Sequence, residues 1–198
     1  MGQNTLKSVA LAGLILLSLI ACSSVTPRGL IAASRLDPLN SDAAKLAVAV
    51  GVPNTVRLVD GDAEFALSFV PEDTQYAPVS ETVSLQVRPS QDIVVEPNST
   101  SETIYVAQFS PGDADRIAAA QARIKALKNN GIEGEGSLSI GVVGGCFTQE
   151  TLTSLPVSTW LRTDPTASFV RLTRTQDMLA ALPADEAAAI KTNLKACD

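Results

Sequence analysis

An alternation of large and small side chains at residues 46–52 limits the folds open to this chain more than any other feature. Leu46, Val48, Val50 and Val52 alternate with two alanines and a glycine. Successive side chains of a β-strand point to opposite faces, whereas those of a helix repeat every 3.6 residues. The period of two therefore predicts a strand with one bulky face and one small face.

The same period recurs along much of the chain. Asp60-Gly61-Asp62 separates two such runs, and an Asp-Gly pair between strands predicts a hairpin. The early runs follow one another closely, which predicts an antiparallel meander. After the strand at 46–52, the predicted strands cover residues 56–59, 64–70, 83–88, 93–95, 104–109, 138–142, 156–162 and 168–172.

Two helices are predicted among these strands. Ser110 offers an N-cap hydroxyl, Pro111 suits the first helical position, and Asp113 adds an acid in the first turn. Gly131 suits the position after the helix C-terminus. Between these ends, apolar residues recur at three- and four-residue steps, at Ile117, Ala120, Ile124 and Leu127. A second helix is predicted from Ala184 to Ala196.

These elements predict a mainly β, sandwich-like fold with one well-defined amphipathic helix and a C-terminal helix. The alternative is an α+β fold with the helices on one face of an antiparallel sheet. The chain is 45% hydrophobic and 18% charged, which is typical of a folded globular protein and excludes wholesale disorder.

The N-terminus has the layout of a secretory signal. Lys7 is the only charged residue among the first eight, and an apolar run over residues 9–20 follows it. A membrane-spanning helix needs about 20 apolar residues, so this run is too short to span. Leu19-Ile20-Ala21-Cys22 closes the run and resembles, at all four positions, the lipobox of bacterial lipoproteins. The resemblance implies that the Cys22 thiol receives a diacylglycerol and that the signal is cut before it.

The same resemblance implies a location in the bacterial cell envelope. In that family, an Asp directly after the cysteine favours the inner membrane, whereas Ser23 here favours the outer membrane, facing the periplasm. The chain then divides into a signal peptide at 1–21, a lipidated tether at 22–42 and a single β-rich periplasmic domain at 43–198. The rest of the chain resembles small envelope lipoproteins of unknown function. No motif outside the lipobox allows a functional residue to be assigned from a known family.

The remaining cysteines, Cys146 and Cys197, would lie in an oxidising compartment, where one intramolecular bridge is the predicted pairing. Two free thiols or an intermolecular bridge are the alternatives. The net charge of −6 and a pI near 4.7 exclude nucleic acid as an expected partner, because such binding depends on clustered Lys and Arg.

The chain contains no histidine. Ser-His-Asp catalysis, Cys-His catalysis and His-containing zinc sites within the chain are therefore excluded. No Ser-x-x-Lys motif follows the signal, so a hydrolase would have to rely on carboxylates. We expect no catalytic residue, no metal and no cofactor.

Three weaker patterns are better explained by backbone geometry. Asp60, Asp62 and Glu64 alternate as calcium ligands would, but they lack the longer EF-hand series, and a turn is favoured. Asn98-Ser99-Thr100 has the form of a glycosylation sequon and indicates a polar turn. A group of glycines lacks the Lys-Ser/Thr of a phosphate loop and indicates a bulge or a close backbone approach beside Cys146. These glycines are Gly141, Gly144 and Gly145.

Trp160, Arg162 and Arg171 form the candidate contact patch. Alternation places Trp160 on one face of its strand and Val157 and Leu161 on the other face. We expect Tyr105 on the same side of the sheet as Trp160. The alternative is that both aromatic rings pack under a helix. The two arginines flank the turn at Thr163-Asp164-Pro165. One interpretation is a bidentate pair with Asp164 or with an acidic partner, and the alternative is a solvated strand face.

Two function classes follow from these residues. The first is a non-catalytic, lipid-anchored envelope protein that acts as a binding or structural accessory module. The second is an envelope ligand carrier or a carboxylate-dependent hydrolase. The expected partners are the membrane, through the lipid on Cys22, and another envelope protein. A filled core with one exposed apolar patch favours the first class, and a concave apolar pocket with two convergent carboxylates of perturbed pKa favours the second.

Overall fold

A computed structural model describes residues 37–90, 95–148 and 152–197 of the chain, without the side chains of residues 174–176 and 193. A single 3₁₀ turn at Ala43–Lys45 precedes the first strand. The strands are β1 Ala47–Pro53, β2 Val56–Arg57, β3 Ala63–Pro71, β4 Val79–Ser84, β5 Gln86–Pro89, β6 Glu102–Gln108, β7 Gly134–Val142, β8 Gly145–Phe147, β9 Pro156–Arg162, β10 Val170–Asp177 and β11 Leu194–Ala196. The helices are α1 Pro111–Asn129, α2 Met178–Ala181 and α3 Ala184–Asn193.

These strands form three sheets. The largest has the order β10-β9-β1-β6-β5, with every pair antiparallel. A second sheet, β4-β3-β7, is also antiparallel. In the third, β11-β8-β2, β8 pairs in parallel with β11 and antiparallel with β2. The predicted mainly β fold with helices is confirmed.

Strand β1 lies at the centre of the five-stranded sheet, with both of its faces covered. Val48, Val50 and Val52 belong to the main core. Ala49 faces the other way and packs with Ile104 and Trp160 in a second, smaller cluster. The predicted division into a bulky and a small face is correct, because an alanine leaves room for the neighbouring indole.

The main core joins the five-stranded sheet, the β4-β3-β7 sheet and α1. Phe65, Leu67 and Phe69 alternate along β3 and are buried, as the period of two predicts. Helix α1 covers this side of β3 and β4, with Ile117 and Ile124 nearly inaccessible to solvent. Burial of apolar surface on both sheets and the helix is the main favourable term in holding these layers together.

Helix α1 forms with the predicted ends. The Ser110 hydroxyl accepts the Asp113 N–H at 3.1 Å, as an N-cap does. At the other end, the Ile132 N–H donates to the Leu127 carbonyl at 3.1 Å while Gly131 takes a positive φ of 74°. This is a Schellman termination, in which glycine avoids the strain of the left-handed conformation.

The predicted hairpin around Asp60-Gly61-Asp62 is wrong. The turn exists, because the Asp62 N–H donates to the Val59 carbonyl at 3.1 Å. The strands on either side belong to different sheets, since β2 pairs with β8 and β3 pairs with β4 and β7. Because of such switches, the early strands do not form a meander.

Two other predicted elements are divided in the structure. The predicted strand at 83–88 becomes β4 and β5, which belong to different sheets, and Leu85 between them is buried. The predicted helix at 184–196 ends at Asn193, and the next three residues form β11 alongside β8. Most of the predicted strand at 93–95 lies outside the described residues.

Candidate functional site

The three residues of the predicted contact patch lie together on one face of the five-stranded sheet. Trp160 of β9 stands directly opposite Arg171 of β10 in the antiparallel ladder, and Arg162 follows two residues along β9. Val157 and Leu161 point to the main core instead, as alternation predicts. The patch therefore lies on the side of the sheet away from the main core.

Each arginine of this group stacks on an aromatic ring. The Arg171 Cζ atom lies 4.9 Å from the Trp160 ring centroid. The Arg162 Cζ atom lies 4.7 Å from the ring centroid of Phe169. These distances are typical of cation–π contacts. We call these four residues the arginine–aromatic face.

Phe169 is the member of this face that the sequence analysis missed. It lies two residues before Arg171, just ahead of β10, and packs against the small cluster of Ala49, Ile104 and Trp160. The signal that identifies it is the register across the 163–168 turn. Once Trp160 is paired with Arg171, the residue facing Arg162 is Phe169.

The bidentate pair with Asp164, which was one of the alternatives for these arginines, does not form. Among the described residues, no ion pair includes Arg162 or Arg171. The Asp164 carboxylate instead accepts the Thr166 hydroxyl at 2.6 Å and the Thr166 N–H at 2.9 Å. These two hydrogen bonds lower the pKa of Asp164 below its usual range, and the charges of Lys45 and Arg162 lower it further.

The arginines are not simply solvated either. Both side chains are partly buried, and Trp160 is only 4% exposed. The Arg162 Nε atom is buried and has no hydrogen-bond partner among the described residues. A buried donor without an acceptor costs free energy relative to one that is hydrogen-bonded. The Nε–H group of Arg162 is therefore buried without an acceptor in the part of the chain that the structure describes.

Tyr105 does not belong to this face, which corrects the expected grouping with Trp160. Tyr105 pairs with Val50 in the ladder and therefore points into the main core. Its hydroxyl donates to the Val56 carbonyl at 3.4 Å. Trp160 packs in the small cluster with Ala49 and Ile104, so among the described residues its ring packs against the sheet instead of under a helix.

Cys146 and Cys197 form the predicted intramolecular disulfide, with an S–S distance of 2.04 Å. In the sheet, Cys146 has Arg57 on one side and Lys195 on the other. A shallow cleft of about 360 Å³ borders the bridge. The Cys197 N–H donates to the Phe147 carbonyl at 2.9 Å, so the C-terminal strand is held by the covalent bond and by the backbone.

The carboxylates of the Asp60–Asp62 turn bind the backbone. Asp62 accepts the Val59 N–H, and Asp60 accepts the Val87 N–H, both at 2.7 Å. Asp60 also forms an ion pair with Arg88. Across the part of the chain that the structure describes, no three His, Cys, Asp or Glu side chains gather as a metal site would require. The hydrogen bonds of these carboxylates, and the turn that the Asp62 N–H closes on the Val59 carbonyl, support a backbone role for Asp60 and Asp62.

Two other sequence patterns are also explained by the backbone. Gly145 has a φ of 129°, and a side chain there would begin 2.9 Å from the Arg57 carbonyl oxygen, which confirms a close backbone approach beside Cys146. Asn98 lies in a turn, and its amide donates to the carboxylate of Glu102 and to the Ser158 hydroxyl at 2.8 Å. The predicted polar turn is confirmed.

A groove beside α1 had no signal in the sequence. It measures about 300 Å³ and lies between the start of the described chain, α1 and the β3–β7 pair. Its apolar lining includes Leu39, Leu67, Phe69, Ile124 and Leu138, and Asp37, Ser68, Lys128 and Ser137 add polar groups. These residues are far apart in sequence, and only the tertiary fold brings them together.

Cys22 and the predicted signal lie outside the described residues. Within residues 37–90, 95–148 and 152–197, no helix combines the length and apolar character needed to cross a membrane. Comparison of the chain with protein-family models, with curated proteins and with solved structures found no match.

Proposed function

We propose that this chain is a non-catalytic, lipid-anchored protein of the bacterial envelope that binds another envelope component through the arginine–aromatic face. The lipobox at Leu19-Ile20-Ala21-Cys22 supports the anchor and a position at the outer membrane, facing the periplasm. The disulfide supports export, because such bridges persist in oxidising compartments.

The observation that carries the binding role is the state of the two arginines. Arg162 and Arg171 are the only arginines stacked on aromatic rings among the described residues, and neither has a carboxylate partner there. Arginine and tryptophan are the residue types most enriched at binding hot spots. Cations held in place without a carboxylate partner in the described part of the chain favour an external partner.

The carboxyl groups with shifted pKa values do not favour the hydrolase. Asp60 and Asp164 both have a lowered pKa, because hydrogen bonds hold them in the ionised form. A catalytic acid needs a raised pKa near the operating pH. Asp164 is bonded within its own turn and Asp60 to Val87 and Arg88 of β5, so the two acids belong to different parts of the fold.

The apolar groove beside α1 favours a ligand carrier as the second candidate. Apolar lining with a few polar groups is typical of small-molecule sites. A fluorescent fatty acid that binds the wild-type chain, and whose binding is lost in Leu138→Arg, would support the carrier. Equal binding in Leu138→Arg, or no binding at all, would argue against it.

Crosslinking in the native envelope tests the binding role. The double variant Arg162→Gln/Arg171→Gln should lose a specific crosslinked partner that the wild-type chain captures. The matched control is Arg57→Gln, because Arg57 is an exposed arginine of the β11-β8-β2 sheet. The proposal fails if the double variant captures the same partner in the same yield, or if the wild-type chain captures only bulk lipid or glycan.

Mass spectrometry of the same samples tests the anchor. The expected mature chain begins at Cys22 and carries acyl groups, and Cys22→Ser should leave it unprocessed. A cytosolic product that keeps Met1 and an unmodified Cys22 would refute the anchor.

A further inference from the structure

We infer that the arginine–aromatic face binds a phosphate group, an inference that rests on the proposed binding function and names its ligand. Arg171 lies directly across from Trp160, and Arg162 is two residues further along β9. Such diagonal neighbours in an antiparallel pair are about 7–8 Å apart at the backbone. Two long guanidinium side chains at this spacing can reach one small ligand.

Stacking prepares both guanidinium groups for this role. A ring centroid lies 4.7 Å from the Arg162 Cζ atom and 4.9 Å from the Arg171 Cζ atom. A ring covers one flat side of a guanidinium and leaves the N–H groups at its edge available for hydrogen bonds in the plane. Since stacking already restricts the side chains, little conformational freedom remains to be lost on binding.

The local charge favours an anion. The chain as a whole is acidic, with a net charge of −6, yet these two arginines lack acidic partners among the described residues. Asp164 interacts electrostatically with Arg162 but forms no ion pair with it, and its carboxylate is hydrogen-bonded to Thr166. The Arg162 Nε atom is buried out of reach of a ligand, so a ligand oxygen would be bound by the terminal N–H groups of Arg162.

The number of donors favours phosphate over carboxylate. A carboxylate has two oxygens and matches a single arginine fork. Inorganic phosphate offers four free oxygens and a phosphate monoester three, so either can accept hydrogen bonds from two forks at once. A soluble monoester and the monoester headgroup of phosphatidic acid present the same three free oxygens to the two arginines.

Trp160 provides a direct readout, because it is the only tryptophan of the chain and contacts Arg171. The full chain in non-ionic detergent is titrated with inorganic phosphate at constant ionic strength, and tryptophan emission is recorded. The expected result is a saturable change in the wild-type chain. Arg162→Gln and Arg171→Gln should each weaken binding about 10-fold or more, because each removes charge-assisted hydrogen bonds.

Three controls make this result specific. Arg57→Gln should bind phosphate like the wild-type chain. Arg171→Lys keeps the charge without the planar fork and should bind more weakly than the wild-type chain. Acetate should produce no saturable change. Isothermal titration calorimetry measures binding in each variant independently of the fluorophore, and circular dichroism confirms that each is folded.

A second set of measurements identifies the source of the phosphate. The full chain is placed in phosphatidylcholine vesicles with and without phosphatidic acid, whose monoester headgroup has three free phosphate oxygens, and Trp160 emission is compared. An emission change that needs phosphatidic acid and both arginines identifies a lipid headgroup. A response to inorganic phosphate alone identifies a soluble ester.

The inference is overturned if neither phosphate source changes the wild-type chain, if the arginine variants respond like the wild-type chain, or if acetate produces the same saturable change. These outcomes are separable from failure of the proposed function. Arginine-dependent capture of a partner without phosphate binding refutes the phosphate ligand and leaves the binding role standing.

Discussion

Gly134 occupies a position at the start of β7 where the backbone of β3 leaves no room for a side chain. A Cβ atom there would lie 2.5 Å from the Val70 carbonyl oxygen and 2.9 Å from the Pro71 Cα atom. Both are backbone atoms, which cannot move aside as a flexible side chain can. The antiparallel pairing of Gly134 with Pro71 fixes this close approach.

Gly134→Ala should therefore lower the free energy of unfolding by about 1–3 kcal/mol, the usual cost of overpacking. Urea denaturation followed by circular dichroism measures it. Gly136→Ala is the matched control on the same strand, because its Cβ would meet only atoms at 3.8 Å or beyond. That control should be neutral or stabilising by up to about 1 kcal/mol. Equal destabilisation by both changes would contradict the close-approach argument.

Asp60 should titrate below its ordinary pKa of 3.8 in the folded protein. The hydrogen bond from Arg88 is the main cause, and the Val87 N–H adds to it. Because the folded-state pKa is the lower one, the ionised carboxylate contributes stability above the unfolded value. That contribution is lost as the pH falls from about 3.8 through the folded-state pKa.

NMR titration of the Asp60 carboxyl carbon checks this prediction. Arg88→Gln should raise the pKa of Asp60, though not fully to 3.8, since the Val87 N–H still donates. Arg57→Gln removes an equal charge from β2 and should leave the pKa of Asp60 unchanged. A pKa of Asp60 that is the same in the wild-type chain and in Arg88→Gln would show that the ion pair has no effect in solution.

Elements defined by local sequence were predicted well. Strand β9 covers exactly the predicted residues 156–162, and α1 has its predicted N-cap at Ser110 and its predicted glycine at Gly131. Caps and apolar periodicity act within one or two turns, so the signal lies in neighbouring residues. The burial of Ile117 and Ile124 follows from the same periodicity.

Elements that depend on distant partners were not predicted. The Asp60–Asp62 turn looks like a hairpin from local sequence, but β2 pairs with β8, about 90 residues further along the chain. The last turn of the predicted C-terminal helix becomes β11 because β8 and the disulfide hold it extended. Strand pairing joins residues that are distant in sequence. A strand has the same period of two whichever sheet it joins, so periodicity does not identify its partner.

In the candidate site too, features set by local sequence were predicted and features set by distant partners were not. Alternation placed Trp160 opposite Val157 and Leu161, and the structure confirms this. Tyr105 was assigned to the wrong face because the relation between β6 and β9 passes through β1, whose register local sequence does not fix. The stacking of Arg162 on Phe169 depends on the register of one turn and was missed for the same reason.

The disulfide joins the C-terminal end of the chain to the rest of the molecule. The sheet that it supports is small, because β2 has two residues and β8 and β11 have three each. So few ladder hydrogen bonds give a short strand little independent stability. Cys146 and Cys197 are separated by 51 residues, so the bridge also restricts a long segment of the unfolded chain.

Cys197→Ser should consequently lower the free energy of unfolding by about 2–4 kcal/mol. Urea denaturation measures this loss, and hydrogen exchange should show that the amide of residue 197 loses more protection than that of Ile117 in α1. Reductant should destabilise the wild-type chain and leave the double variant Cys146→Ser/Cys197→Ser unchanged. If reduced and oxidised wild-type chains unfold at the same urea concentration, non-covalent packing alone holds β11 against β8.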